Sequence, residues 1–118
     1  MTLSTNTTDS LTILWTTGDR EVALKMLFMY AINGKSKGWW QHMRIIIWGP
    51  SAKLLSEDDD LQLHVRKAVD LGIQMDACKA CADLYGVSEK LEELGVTVSY
   101  MGQPLTALIR EGGHLLTL

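Results

Sequence analysis

The 118-residue sequence has few of the residues that mark specialised protein classes. Its two cysteines, Cys78 and Cys81, are too few for the disulfide framework of a small secreted protein. No apolar run approaches the ~18 residues of a membrane-spanning helix. The first ten residues lack the basic start and apolar core of a signal peptide. We therefore expect no membrane partner and a cytoplasmic location, where thiols stay reduced.

Excess charge of either sign is also small. The chain has 11 basic and 14 acidic residues, a formal net charge of −3. A nucleic-acid-binding module usually has a basic face, so we expect no direct contact with nucleic acid. Hydrophobic residues make up 47% and charged residues 21%, which is typical of a folded globular protein. The length predicts one domain, at residues 11–118, after a flexible polar tail at residues 1–10.

Five short apolar segments, several rich in β-branched residues, are predicted to be strands. They cover residues 11–15, 44–48, 73–77, 96–100 and 114–118. The second segment is apolar without alternation, as in a parallel strand that is buried on both faces. Helical patterns separate the strands. This alternation predicts an α/β fold, a three-layer α/β/α sandwich with a five-stranded parallel sheet.

The helix signals also suggest where the domain contacts other molecules. Asp19 is predicted to cap a helix that runs to about residue 32. That helix is apolar almost all round, so we expect the sheet on one side and a second subunit on another. Ser56 is predicted to cap a longer helix and Ser88 a short one at residues 89–94. A last helix is predicted at residues 105–110.

Two groups of residues could in principle bind a metal ion. The acidic run at residues 57–60 would lie in the first turn of a helix, where the helix dipole favours negative charge, and this is the preferred interpretation. A zinc site needs about four ligands. The three histidines do not pair with the cysteines at a recognised spacing. No metal site is predicted.

Cys78 has the most informative position in the sequence. It follows the third predicted strand and precedes a helix, and ligands of parallel α/β folds bind beyond the carboxyl ends of the strands. The positive end of a helix dipole stabilises a thiolate, and Lys79 adds a nearby positive charge. The position indicates a nucleophile or a sulfur carrier. The alternative is a buried, inert cysteine.

Cys81 lies three residues later, on the same face of the predicted helix. In a C-x-x-C motif it could resolve a disulfide or persulfide on Cys78. It could equally be a core residue of the short helix, and the spacing leaves both interpretations open. Both cysteines are candidate catalytic residues.

The other turns at the same edge supply the candidate substrate-binding residues. The turn at residues 16–19 could hold a phosphate, as in flavin-binding folds, but one glycine and an aspartate favour a simple N-cap turn. No cofactor is predicted. Trp39 and Trp40 indicate either an interface or packing against the first helix. The candidate substrate-binding residues are Thr17, Gly18, Trp48, Gly49, Lys79 and Gln103.

Three segments resemble the DsrE/DsrF-like family of sulfur-relay proteins. They are residues 72–87, which contain the strand, Cys78 and the following helix, and residues 47–55 and 100–113. The resemblance implies a three-layer sandwich that assembles into homo- or hetero-oligomers, often trimers or hexamers. It also implies that Cys78 receives sulfur as a persulfide, although some members lack that cysteine. Cys81 is not part of the general family pattern.

Together these features predict a sulfur-handling protein. Cys78 would accept sulfur as a persulfide and pass it to a partner thiol, so the expected partners are a sulfur donor or acceptor protein and further copies of the chain. Whether it is an enzyme, such as a sulfurtransferase, or only a carrier stays open. The alternatives are an oligomeric assembly protein without chemistry and a flavin or nucleotide binder.

Overall fold

The five predicted strands are all present in the computed structural model, which describes residues 9–118. Each strand begins and ends within two residues of its predicted bounds. The predicted tail lies largely outside the described residues, and Ser10 already belongs to the first strand. The strands are β1 (Ser10–Trp15), β2 (His42–Ile47), β3 (Gln74–Cys78), β4 (Thr97–Ser99) and β5 (His114–Thr117).

All neighbouring strands are parallel, in the order β4-β3-β2-β1-β5. The first three crossovers step across the sheet in one direction, so right-handed connections place their helices on one face. The last crossover returns from β4 to the far side of β1, which places its helix on the opposite face. The result is the predicted three-layer α/β/α sandwich.

Six helices lie between the described strands. The first, α1, covers residues 20–36 in three contiguous segments, Arg20–Val22, the π-helical Ala23–Phe28 and Met29–Ser36. The others are α2 (Pro50–Glu57), α3 (Asp59–Asp70), α4 (Lys79–Tyr85), α5 (Ser88–Glu93) and α6 (Gly102–Arg110). No helix among the described residues is long and apolar enough to cross a membrane.

Alternation along the strands divides the apolar residues between two clusters. Ile45 and Ile47 of β2 belong to the main core, which also contains Trp15 packed edge-on against Phe28 of α1 at 5.5 Å between ring centroids. Ile46 lies between them in sequence and so points to the opposite face of the sheet. There it belongs to a second, smaller cluster that contains Cys78.

Two predicted helix caps are wrong. Asp58, not Ser56, caps α3, since its Oδ1 accepts a hydrogen bond from the Leu61 N–H at 3.0 Å. Ser56 lies inside α2, where its hydroxyl donates to a carbonyl of the preceding turn. Ser88 is the first residue of α5, and its hydroxyl donates to the Asp83 carboxylate. In both cases the serine hydroxyl donates to a nearby oxygen instead of accepting a hydrogen bond from a helix N–H.

Two predicted helices also differ in extent or burial. α6 begins at Gly102, three residues before the predicted start, because Pro104 is tolerated in the first turn of a helix. α1 buries only part of its apolar surface in the single chain. Met26 and Met29 remain 41% and 54% exposed on its outer side.

Candidate functional site

Cys78 is packed within a small apolar side-chain cluster at the carboxyl edge of the sheet. It is the last residue of β3 and the N-cap residue of α4, with φ −65° and ψ 115°, and its side chain makes no capping hydrogen bond. Only 5% of the residue is exposed. We call its surroundings the thiol chamber, which consists of buried Ile46, Cys78 and Met101 and half-buried Leu14, Trp48 and Cys81.

Cys81 is the neighbouring thiol in this chamber. Cys78 and Cys81 occupy the N-cap and N3 positions of α4, whose side chains face each other at a helix start. Burial raises the pKa of the Cys81 thiol, and the Cys78 side chain raises it further, while the Gly49 backbone N–H acts in the opposite direction. Cys81 is therefore a protonated thiol at neutral pH. Both cysteines are free.

The turn after β2 forms one wall of the chamber. Trp48 packs against the cluster, and Gly49 has φ 72° and ψ −137°, a conformation that essentially only glycine adopts. Ser51 holds this turn against β1, because its buried hydroxyl donates to the Trp15 carbonyl at 2.5 Å and accepts from the Trp48 N–H at 3.1 Å. Sequence reasoning placed Trp48 and Gly49 at the site but missed Ser51, whose only signal is a small hydroxyl residue after Gly-Pro.

Thr17 and Gly18 belong to the adjoining turn. Gly18 approaches Pro50 closely enough that an added Cβ would lie 3.4 Å from the Pro50 Cβ. The Asp19 carboxylate accepts hydrogen bonds from the N–H groups of Glu21 and Val22, which are the first amides of α1. These amides are thus engaged by the chain itself. The N-cap interpretation of this turn is confirmed.

The ammonium group of Lys79 is directed to Asp83 rather than to the thiols. Its Nζ lies 3.0 Å from Asp83 Oδ2 and 6.0 Å from the centre of the Tyr100 ring. The hydrogen bond that Lys79 donates to Asp83, followed by the charge of Asp83, raises the pKa of Lys79. The positive charge that the sequence places beside Cys78 therefore already has an anionic partner.

Gln103 lies in a different place from the thiol chamber. It lines an open cleft of about 460 Å³ along α6 and the turn that follows, together with Thr106, Ala107, Arg110 and Glu111. The structure therefore brings Trp48, Gly49 and both cysteines together, with Thr17 and Gly18 in the next turn. Gln103 lines the cleft along α6, and none of the residues lining that cleft belongs to the thiol chamber.

A buried ion pair shares the Cys78 face of the sheet. Asp76 precedes Cys78 by two residues, and its Oδ2 accepts from Arg44 Nε at 2.6 Å and from Gln74 Nε2 at 3.0 Å. The Asp76 side chain is 3% exposed. Because Arg44 balances the carboxylate, the thiols do not face an uncompensated negative charge. Sequence reasoning missed this pair, because its two charges lie in different predicted strands whose order in the sheet was not predicted.

Within residues 9–118, no three histidine, cysteine or acidic side chains are grouped closely enough to hold a metal ion. The thiol chamber itself contains three sulfur-bearing side chains, those of Cys78, Cys81 and Met101. Met101 contributes a thioether, which accepts a hydrogen bond from the Ser99 hydroxyl at 3.4 Å. The two thiols are the reactive groups.

Comparisons with known proteins show that this chain is similar to solved structures of other proteins. No protein-family model and no curated protein matches the chain. A conserved protein of unknown function from Bacteroides thetaiotaomicron, BT1422, is 40% identical, with a TM-score of 0.95 over 98% of this chain and 100% of that chain. The YchN protein from E. coli is 14% identical, with a TM-score of 0.71 over 93% of this chain and 99% of that chain. The second likeness shows the fold alone.

Proposed function

The chain belongs to the family of BT1422, and from its own thiol chamber we propose that it accepts sulfur as a persulfide on Cys78 and passes the sulfur to a partner thiol. One observation carries the proposal. Cys78 ends a parallel strand at the edge where such folds bind ligands, inside an apolar chamber with a second thiol. The YchN-like fold is consistent with sulfur relay, but it does not itself supply a chemistry.

The proposed transfer has two balanced steps. The Cys78 thiolate attacks the outer sulfur of a donor persulfide, R–S–SH, and the donor leaves as its thiolate. An acceptor thiolate then attacks the outer sulfur of Cys78–S–SH, and Cys78 leaves as its thiolate. Each step exchanges one sulfur–sulfur bond for another and needs no external oxidant or reductant.

The burial of Cys78 has two consequences for this transfer. With 5% of the residue exposed, the apolar walls restrict the access of water and small thiols to a bound persulfide. The same walls require the site to open when a donor or acceptor protein docks. The proposed partners are accordingly proteins that carry a reactive thiol, and the proposed compartment is the cytoplasm, which keeps both thiols reduced.

Intact-mass spectrometry after incubation with a persulfide donor tests the proposal. The wild-type protein should gain one or more sulfur atoms, and the Cys78→Ala variant should not, because the accepting thiol is absent. Cys81→Ala is the matched control, since it removes the other thiol of the chamber and should still gain sulfur. Persistence of the gain in Cys78→Ala would contradict the assignment of Cys78.

A second candidate function is an oligomeric assembly protein of the same fold without chemistry. The observation that favours it is the exposed apolar surface on α1 and the turn that follows, where Met26, Met29 and Trp39 are 41%, 54% and 56% exposed. This candidate predicts a stable homo-oligomer whose formation does not depend on either cysteine. It also predicts no sulfur gain in the mass experiment, which separates the two functions.

A further inference from the structure

We propose that Cys81 is a resolving thiol, which attacks the persulfide of Cys78, releases hydrogen sulfide and leaves a Cys78–Cys81 disulfide. This inference rests on the proposed function, since it gives the loaded Cys78 a second outcome besides transfer to a partner. The chain would then discharge sulfur as sulfide when no acceptor thiol is docked. It would return to the dithiol form through a thiol reductant.

The first support is the position of the two residues on α4. Cys78 is the N-cap residue, and Cys81 is three residues later within the first turn. Side chains three apart on a helix have Cβ atoms about 5–6 Å apart, whereas a disulfide needs about 3.5–4.5 Å. A shift of about 1–2 Å at the helix start therefore closes the bond. Cys78 has extended dihedral angles and is held in β3 opposite Ser99 of β4, so the shift falls on the first turn of α4, which carries Cys81.

The second support is that both thiols belong to one apolar chamber. Cys78 and half-buried Cys81 pack in the same cluster, beneath Trp48 and Met101. The Cys78 side chain raises the pKa of Cys81, which is an effect of close neighbours. An external acceptor must open this chamber, whereas Cys81 is already inside it. Proximity of this kind favours the intramolecular attack over a bimolecular one.

The step is balanced without a further reactant. The Cys81 sulfur attacks the Cys78 sulfur of Cys78–S–SH, the bond between the Cys78 sulfur and the outer sulfur breaks, and the outer sulfur leaves as HS⁻. The Cys81 proton is lost to solvent and HS⁻ can take one up, so the sum is one persulfide and one thiol giving one disulfide and H₂S. The outer sulfur is reduced to sulfide. The Cys81 sulfur is oxidised from a thiol to a disulfide sulfur, so the two changes cancel.

The raised pKa of Cys81 determines how this discharge depends on pH. Since only the thiolate attacks, and burial favours the protonated thiol, discharge is slow at neutral pH. Its rate should rise as the pH approaches the raised pKa of Cys81. A loaded protein thus holds its sulfur long enough to meet a partner.

The experiment compares wild-type protein with Cys81→Ser and Cys78→Ser after loading with inorganic polysulfide and removal of the excess. Released sulfide and intact mass are followed over time in buffer without added thiol. The wild type should release one sulfide for each loaded Cys78, at a rate independent of protein concentration, and end two hydrogen atoms lighter than the reduced protein. Cys81→Ser should keep its added sulfur roughly tenfold longer or more, because the resolving thiol is absent. Cys78→Ser should neither load nor release.

The outcomes separate this inference from the proposed function. Loading of Cys78 with equal persulfide lifetimes in wild type and Cys81→Ser would overturn the resolving role and leave sulfur acceptance intact. Absence of loading on Cys78 would overturn the proposed function and the discharge step together. A separate treatment of the reduced wild type with the thiol oxidant diamide should form the intramolecular disulfide. Failure to form it would show that the two sulfurs cannot meet, which also overturns the inference.

Discussion

The carboxylate of Asp58 joins two helices. Its Oδ1 accepts from the Leu61 N–H and caps α3, while its Oδ2 lies 2.7 Å from Arg20 Nε in the first turn of α1. The Leu61 N–H, followed by the hydrogen bond and charge of Arg20, lowers the pKa of Asp58 against an opposing effect of burial. Asp58 therefore stabilises both the start of α3 and its contact with α1.

Replacement of Asp58 by alanine should lower the free energy of unfolding by about 1 kcal/mol, the usual cost of a lost N-cap. Asp58→Asn is the matched control, because asparagine caps equally well but cannot pair with Arg20. Urea unfolding at neutral pH should rank the wild type highest, Asp58→Asn slightly below it because the ion pair with Arg20 is lost, and Asp58→Ala lowest. An alanine variant as stable as the wild type would show that the cap contributes nothing.

The same residue predicts a pH dependence. A carboxyl group whose pKa is lower in the folded state stabilises the protein above its unfolded pKa, which is about 3.9, and loses that contribution as the pH falls through the folded value. The stability difference between wild type and Asp58→Asn should therefore shrink as the pH falls below about 4. Urea unfolding of both proteins across this range checks it. If the stability difference between wild type and Asp58→Asn instead grew in acid, the predicted direction of the pH dependence would be wrong.

The environment of Lys79 illustrates what sequence reasoning can and cannot predict for a single residue. The position of Cys78 was predictable, because the junction between an apolar strand and a helix is visible in the sequence. The direction of the Lys79 side chain was not, since it depends on the i+4 partner Asp83 and on Tyr100 from another segment. A charge next to a thiol in sequence is thus a weak guide to the charge next to it in space.

At the scale of elements, the turn between β2 and α2 determines the shape of the site. Its backbone at Gly49 has positive φ, and its next residues begin α2 with Pro50 at the first position. The apolar run of β2 was readable from sequence, and so was the helix after it. The contact of this turn with Cys81 could not be read from the sequence, because it depends on the parallel pairing of β2 with β3.

Gly49→Ala should destabilise the protein by about 1–3 kcal/mol, through backbone strain at positive φ. The cause is conformational rather than steric, since a Cβ at Gly49 would meet nothing within 4 Å. Gly102→Ala is the matched control, because Gly102 is helical and a Cβ there also meets nothing within 4 Å. Thermal unfolding should show a loss for Gly49→Ala only. Equal stability of the two variants would show that the positive φ at Gly49 does not strain an alanine there.

At the scale of the whole molecule, the second face of the sheet is thinly covered. Among the described helices, α6 alone has no buried residue, and Ile109 on it is 56% exposed. The three-layer arrangement was predictable from the alternation of strands and helices. The strand order was not, because right-handed crossovers are compatible with several orders. A thin layer of this kind gives the proposed homo-oligomer a second candidate contact surface, besides the exposed side of α1 on the other face of the sheet.

The family resemblance implies a trimer or a hexamer, and sedimentation velocity should accordingly detect one of these rather than a monomer. Ile109→Glu should shift the protein toward smaller species without loss of helix content, because it places a charge on the exposed apolar side of α6. Leu63→Glu is the control, since Leu63 is 64% exposed on α3, on the other side of the sheet. A monomeric wild-type protein, or equal behaviour of the two variants, would contradict the expectation.

The pairing of β5 with β1 also affects how the chain folds. The Thr16 hydroxyl after β1 binds the Leu118 carbonyl after β5, 102 residues apart in sequence. Contacts between such distant segments slow folding, because a large loop must close before they form. On the ribosome, one edge of β1 therefore has no partner until the last strand has emerged. Until then the backbone N–H and C=O groups on that edge of β1 are unpaired and can form hydrogen bonds with other chains.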